Sequence, residues 1–188
     1  MIAAPARSAW TLLVGSLAGW ISAVILTVED FKLLMNPAYK PSCNLNPIIA
    51  CGSVMATHQA RIFGFPNPIM GVVGFSVAVT IAVLAVAGIA LPKWFWGGLW
   101  LGLVLGIVFI CWLIFQTLYR IGALCPYCMV VWVFTPILLA VVTDQIWGNA
   151  RGFVRILVEW RWTLVVVFYA IVLVMVFLRF QTYWMSLV

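Results

Sequence analysis

The chain has 188 residues, of which 66% are hydrophobic and only 7% charged. Soluble domains carry about a quarter charged residues, so water is excluded as the main solvent and a polytopic membrane protein is indicated. The net charge of +6 comes from basic residues scattered among apolar segments; they form no patch of the kind nucleic acid needs, and read as membrane-flanking anchors attracted to anionic lipid.

The first apolar run covers about residues 8–28, between Arg7 and the pair Glu29–Asp30. It is too long for a signal-peptide core and lacks a convincing cleavage site, so a retained helix is expected. A polar segment of about 29–66 follows, with Pro41, Pro47, two cysteines and the single histidine, His58. Pro47 suggests a turn there. Four more apolar runs cover about 67–91, 94–119, 125–146 and 162–180. They are separated by a tight turn at Pro92–Lys93, a short link at 120–124, and a basic link carrying Arg151, Arg155, Glu159 and Arg161. The expectation is an all-α membrane protein, one transmembrane domain over 1–188 without a soluble domain, each crossing pairing its own backbone as lipid demands. Trp10, Trp94, Trp96, Trp147, Trp160, Trp162 and Trp184 lie near the predicted ends, where aromatic belts sit.

An even number of crossings separates Cys43 and Cys51 from Cys125 and Cys128, so all four face one side. Counting basic residues does not choose that side. Arg7, Lys93, Arg151, Arg155 and Arg161 flank one face, and Lys32, Lys40, Arg61, Arg120 and Arg179 the other. The basic link before the last helix favours a cytoplasmic position for itself, which puts the cysteines outside.

Cys111 sits alone between Ile110 and Trp112 and reads as a small buried hydrophobe. Cys125-Pro126-Tyr127-Cys128 is a C-x-x-C opening a predicted helix. Residues three apart share a helix face, so the two sulfurs can approach disulfide distance. The positive end of the helix dipole stabilises a thiolate on Cys125, and Pro126 suits the first turn. An incidental pair and half of a metal site are the competing readings. Cys43 and Cys51 enclose seven residues, a loose pair that can close and reopen without unfolding a helix; a purely structural disulfide is its alternative. Two pairs on one side can pass electrons through mixed disulfides. A four-cysteine zinc site would need an unusual spacing and has one histidine to help it.

These residues, with Pro41-Ser42-Cys43, Cys51-Gly52-Ser53 and Phe63-Gly64-Phe65-Pro66-Asn67-Pro68, resemble the bacterial branch of the vitamin K epoxide reductase family, over roughly Val28 to Trp132. The resemblance implies a four-helix transmembrane bundle around a quinone (menaquinone or ubiquinone), capped by a half-buried extracytoplasmic loop and short helix, with a fifth transmembrane helix added. It implies a multi-pass protein of the inner or plasma membrane, its active-site cysteines extracytoplasmic. It further implies that Cys43 meets a thiol partner of the thioredoxin fold, a DsbA-like protein. Cys51 would then exchange with Cys125, and Cys128 would face the quinone. Asn67 resembles the asparagine that hydrogen-bonds a quinone carbonyl, and reads equally as a helix N-cap before Pro68. Many members have a tyrosine where this chain has Trp132, which can donate from its indole N–H or simply pack. Ser53 reads as a neighbour of the cysteines or a helix cap, and His58 as a proton carrier or an exposed polar residue. Arg61 and Arg120 either favour thiolates or mark the interface, while Phe63 and Phe65 cover the site. The implied activity is oxidation of secreted-protein thiols at the expense of the quinone pool. The alternatives are vitamin K epoxide reduction, a DsbB-type generator (whose cysteine pairs come in the reverse order), and a non-enzymatic metal-binding membrane protein.

Overall fold

The computed structural model describes all residues except 47, 149, 182–184 and 186–188, so the readings of Pro47 and Trp184 lie outside the described residues. The described chain is helical. Helix α1 spans Ala6–Met35, α2 Cys51–Met55, α3 Pro68–Val86, α4 Lys93–Gln116, α5 Pro126–Trp147, α6 Phe153–Glu159 and α7 Arg161–Arg179. A 3₁₀ turn at His58–Arg61 follows α2, and a π turn at Thr117–Ile121 ends α4. Five of these helices are long and apolar enough to cross a membrane: α1, α3, α4 with its π turn, α5 and α7. The protein is a multi-pass membrane protein.

Prolines start α3 and α5 at Pro68 and Pro126, where the missing N–H costs no helical bond. Small residues decide which helices meet. A Cβ placed on Gly19 would lie 2.4 Å from the Phe75 ring, and one on Gly15 would lie 3.0 Å from Leu138. Lipid offers no hydrophobic drive for helices to associate, so close backbone approach of this kind holds the bundle. Helix α1 therefore packs most closely against α3 and α5, whereas α3 and α4 barely touch. Helix α7 stays peripheral, packing Phe168, Val172 and Val176 against the cluster around Trp132 and adding polar contacts. Tyr169 Oη donates to the Val133 carbonyl of α5, and Arg179 Nε donates to the Leu118 carbonyl at 2.6 Å.

Several expectations need correction. The first helix does not stop near Val28 but runs to Met35, because Glu29 and Asp30 face inward and find partners. The polar segment holds the expected short helix, α2, together with the 3₁₀ turn, while the basic link, read as a plain connection, contains α6. Cys111 is exposed rather than buried. It lies on the outer face of loosely packed α4, where lipid is as apolar as any core and nothing forces it inward. Trp96 is no belt residue. It is fully buried, and its Nε1 donates to the Ile2 carbonyl at 3.4 Å, beside the antiparallel pairing of Ile2 with Leu91.

Candidate active site

The site grows from a short backbone register. The Leu124 N–H donates to the Ile48 carbonyl at 2.6 Å, and the Ala50 N–H donates to the Leu124 carbonyl at 2.9 Å. This parallel pairing places the residues that follow, Cys51 and Cys125, side by side. Two asparagines fold the loop that brings Cys43 there. Asn46 Oδ1 accepts from the Ile48 and Ile49 N–H groups at 3.0 and 2.6 Å, and Asn44 Oδ1 accepts from Gly52 N–H at 2.9 Å. Asparagine side chains commonly close turns this way. The loop has no room at Gly52, where a Cβ would lie 3.0 Å from Asn44 Nδ2 and 3.3 Å from Pro41 Cδ.

Cys43 and Cys51 form a disulfide, with Cα atoms 5.7 Å apart. Cys125 and Cys128 are free thiols, and the Cys125 sulfur lies 3.1 Å from the Cys51 sulfur. Cys51 opens α2 and Cys125 caps the start of α5. Cys43, Cys51 and Cys125 are 4%, 0% and 2% exposed, in one cluster with Leu26 and Met55. A hydrogen bond from the Cys128 thiol pulls the Cys125 thiol below its ordinary range; burial opposes this, and the Cys128 and Tyr127 N–H groups assist it. Cys125 is thus the better nucleophile, and it sits against one sulfur of a disulfide. That is the arrangement thiol–disulfide exchange requires.

Two adjacent acids at the end of α1 hold the flanks of this cluster. The buried Glu29 carboxylate accepts from Tyr39 Oη at 3.1 and 3.2 Å and from the Ser42 N–H at 3.1 Å, with Lys32 Nζ at 3.5 Å. Asp30, fully buried, pairs with Arg61 at 2.9 Å. Glu29 therefore fixes the chain just before Cys43, and Asp30 fixes the segment after α2. The Arg61 guanidinium is committed to this pair. Sequence reasoning passed over Glu29, Asp30 and Tyr39. The available signal was two carboxylates at the end of an apolar helix, a costly position that usually marks a partner.

Asn67 is buried at the start of α3, and its side chain makes no cap. Its Nδ2 donates instead to the Gln59 carbonyl at 2.7 Å, tying the 3₁₀ turn to α3, while its Oδ1 is buried without a partner. Trp132 is buried among Ile110, Ile114, Leu118 and Leu124, a cluster that Cys128 borders and α7 covers with Val172 and Val176. Phe63 and Phe65 stack 6.1 Å apart and reach Phe109 of α4, also at 6.1 Å from Phe63, leaving much of both rings exposed. Ser53 and His58 are exposed, and neither has a side-chain hydrogen bond among the described residues. Arg120 is exposed too. The structure thus brings the four cysteines together and puts Asn67 and Trp132 in the surrounding interior. It leaves Ser53, His58 and Arg120 on the surface.

Between α3 and α4 the bundle is open. A Cβ built on Gly98 or Gly102 of α4, or on Gly74 of α3, would meet nothing within 4 Å. Near the end of α4 remote from the cysteines the gap widens to an apolar cleft of about 290 Å³ lined by Val77, Ile81, Trp94 and Phe95.

A comparison with curated proteins finds no match. The family model described as the vitamin K epoxide reductase family matches residues 10–143. The match covers well over half of the chain and all four paired cysteines, on a frame of membrane-crossing helices. The chain accordingly belongs to the vitamin K epoxide reductase family and is a membrane-bound oxidoreductase.

Proposed function

We propose that this protein oxidises an extracytoplasmic thioredoxin-fold, DsbA-like thiol protein and delivers the electrons to quinone in the membrane. The observation that carries the reading is the Cys125 sulfur 3.1 Å from Cys51 of the Cys43–Cys51 disulfide. A structural disulfide has no need of a thiol of lowered pKa against one of its sulfurs.

The relay balances in two-electron steps. The partner's dithiol reduces the Cys43–Cys51 disulfide and leaves oxidised. Cys51 then attacks Cys125 of a Cys125–Cys128 disulfide, forming a Cys51–Cys125 bond and releasing Cys128 as a thiolate. Cys43 next attacks Cys51, which restores the loop disulfide and leaves both α5 cysteines reduced. That product is the observed arrangement, with the loop oxidised and two electrons on Cys125 and Cys128. Closing the Cys125–Cys128 disulfide gives up two electrons and two protons, the number a quinone takes up on becoming a quinol.

The residues present suit such a ligand. Asn67 offers a buried, unpartnered oxygen and one further N–H, Phe63 and Phe65 offer aromatic faces, and the open α3–α4 groove suits a long apolar tail. Trp132 packs beside Cys128 and supports the wall of the site. The same cysteines would serve epoxide reduction, but the Phe63–Pro68 stretch resembles bacterial members and favours quinone. Reconstituted protein, a reduced thioredoxin-fold protein and a menaquinone or ubiquinone test the reading. Thiol oxidation should depend on quinone and stop in Cys128→Ser, while Cys43–Cys51 still exchanges with the partner. Undiminished quinone-dependent oxidation in Cys128→Ser would refute it.

A further inference from the structure

Helix α5 has 22 residues and therefore rises about 33 Å, so its end at Trp147 lies on the membrane face opposite Cys125. There the end of α5, helix α6 and the start of α7 enclose a cavity of about 380 Å³, lined by Asp144, Arg151, Arg155, Glu159 and Arg161. Arg155 pairs with Glu159 at 2.6 Å, and Arg161 pairs with Asp144 at 3.3 Å. Arg161 also donates to the Val158 carbonyl at 2.5 Å, and its Nε is buried with no partner. Arg151 is exposed and makes no ion pair among the described residues. Three arginines against two carboxylates leave this cavity one positive charge.

The surface around it is apolar. Ile156 and Leu157 of α6 are 51% and 46% exposed, and Trp160 and Trp162 are 59% and 46% exposed. A short helix with exposed aliphatic residues, flanked by tryptophans and arginines, lies in the headgroup plane of a bilayer.

We propose that this corner is a binding site for the phosphodiester of one anionic phospholipid, whose acyl chains lie along Ile156, Leu157 and Trp162. The single uncompensated charge matches a phosphodiester monoanion. A zwitterionic headgroup brings its own cation and leaves that charge unanswered. Inorganic phosphate offers the same oxygens but gains nothing from the apolar rim. Arg151 supplies the free guanidinium, and Arg161, held by Asp144 and Val158, lines the cavity with its Nε unpartnered.

The purified chain in neutral detergent is titrated with phosphatidylglycerol or phosphatidylcholine, and the first bound lipid is counted by native mass spectrometry. Phosphatidylglycerol should bind about fivefold more tightly than phosphatidylcholine, and Arg151→Ala should lose about that factor. Glu159→Gln releases Arg155 and should tighten binding, whereas Arg120→Ala on the cysteine face should change nothing. Equal binding of the two lipids would overturn the site, as would unchanged binding in both Arg151→Ala and Glu159→Gln. Displacement of the lipid by millimolar inorganic phosphate would overturn the lipid assignment.

Discussion

The Glu29 carboxylate of α1 accepts the backbone N–H of Ser42, the residue before Cys43, at 3.1 Å. A transmembrane helix thus holds one end of the cysteine loop directly, and Tyr39 reinforces the hold. Glu29→Ala removes the acceptor of the Ser42 N–H and the Tyr39 hydroxyl, and because Ser42 is exposed and water can replace the lost bonds, the cost is about 0.5–1.5 kcal/mol. The expected result is faster proteolysis between Met35 and Cys43 and slower thiol oxidation. Glu29→Gln keeps an acceptor oxygen and should fall between that variant and wild type. Equal proteolysis of all three would show that Glu29 does not hold the loop.

Asp30 and Arg61 make a partly buried pair, the carboxylate wholly inside and the Arg61 side chain one-third exposed. Removing one partner of a buried pair typically costs about 3–5 kcal/mol, and the exposure of Arg61 places this pair at the low end. Asp30→Ala should therefore lower the thermal midpoint in detergent clearly. Asp30→Leu combined with Arg61→Met should recover much of the loss, since no charge is then left alone.

The hydrogen bond from Cys128 lowers the Cys125 pKa, so Cys125 should titrate below the ordinary thiol value of about 8.5. Below its pKa the thiol is protonated and inert, so exchange with Cys51 should speed up as pH rises and level off above the midpoint. In a Cys111→Ser background with the loop disulfide intact, thiolate absorbance reads that midpoint. Cys128→Ala removes the hydrogen bond and should move the midpoint upward; no movement would contradict the assignment.

Gly19 and Gly102 should respond oppositely to added bulk. A Cβ on Gly19 falls 2.4 Å from the buried Phe75 ring, so Gly19→Ala should destabilise the bundle by about 1–3 kcal/mol. Gly102 is exposed one turn along α4 from Gly98, which lines the cleft, and a Cβ built there meets nothing within 4 Å. Gly102→Leu should leave the thermal midpoint nearly unchanged, yet raise the KM for a long-tailed quinone more than for a tail-free one. Equal KM effects on both would argue against the groove as the tail's path.

The architecture was readable because the bilayer writes it into composition, as long apolar runs broken by short polar links. The four cysteines stood out as candidates because reactive residues are rare in so apolar a chain. Burial was not readable, since lipid and core favour the same side chains; that is why Cys111 was expected inside and Trp96 at the surface. The register between Ile49 and Leu124 is a backbone pairing between distant segments that sets Cys51 beside Cys125, 74 residues further along the chain, and no side-chain pattern announces it. The Glu29 and Asp30 anchors were hidden in another way. Acids after an apolar run read as the end of a helix, and only the fold reveals that Tyr39, Ser42 and Arg61 come back to meet them.

The central claim is that Cys51 and Cys125 exchange a covalent bond. The direct measurement is peptide mass spectrometry on the Cys43→Ser variant, alkylated under acid after exposure to quinone. The account predicts a Cys51–Cys125 disulfide-linked peptide in this variant, because Cys51 displaces Cys128 from the Cys125–Cys128 disulfide and no Cys43 is left to resolve the product. Linkage of Cys51 to any other residue, or none at all despite quinone-dependent oxidation by wild type, would contradict the relay.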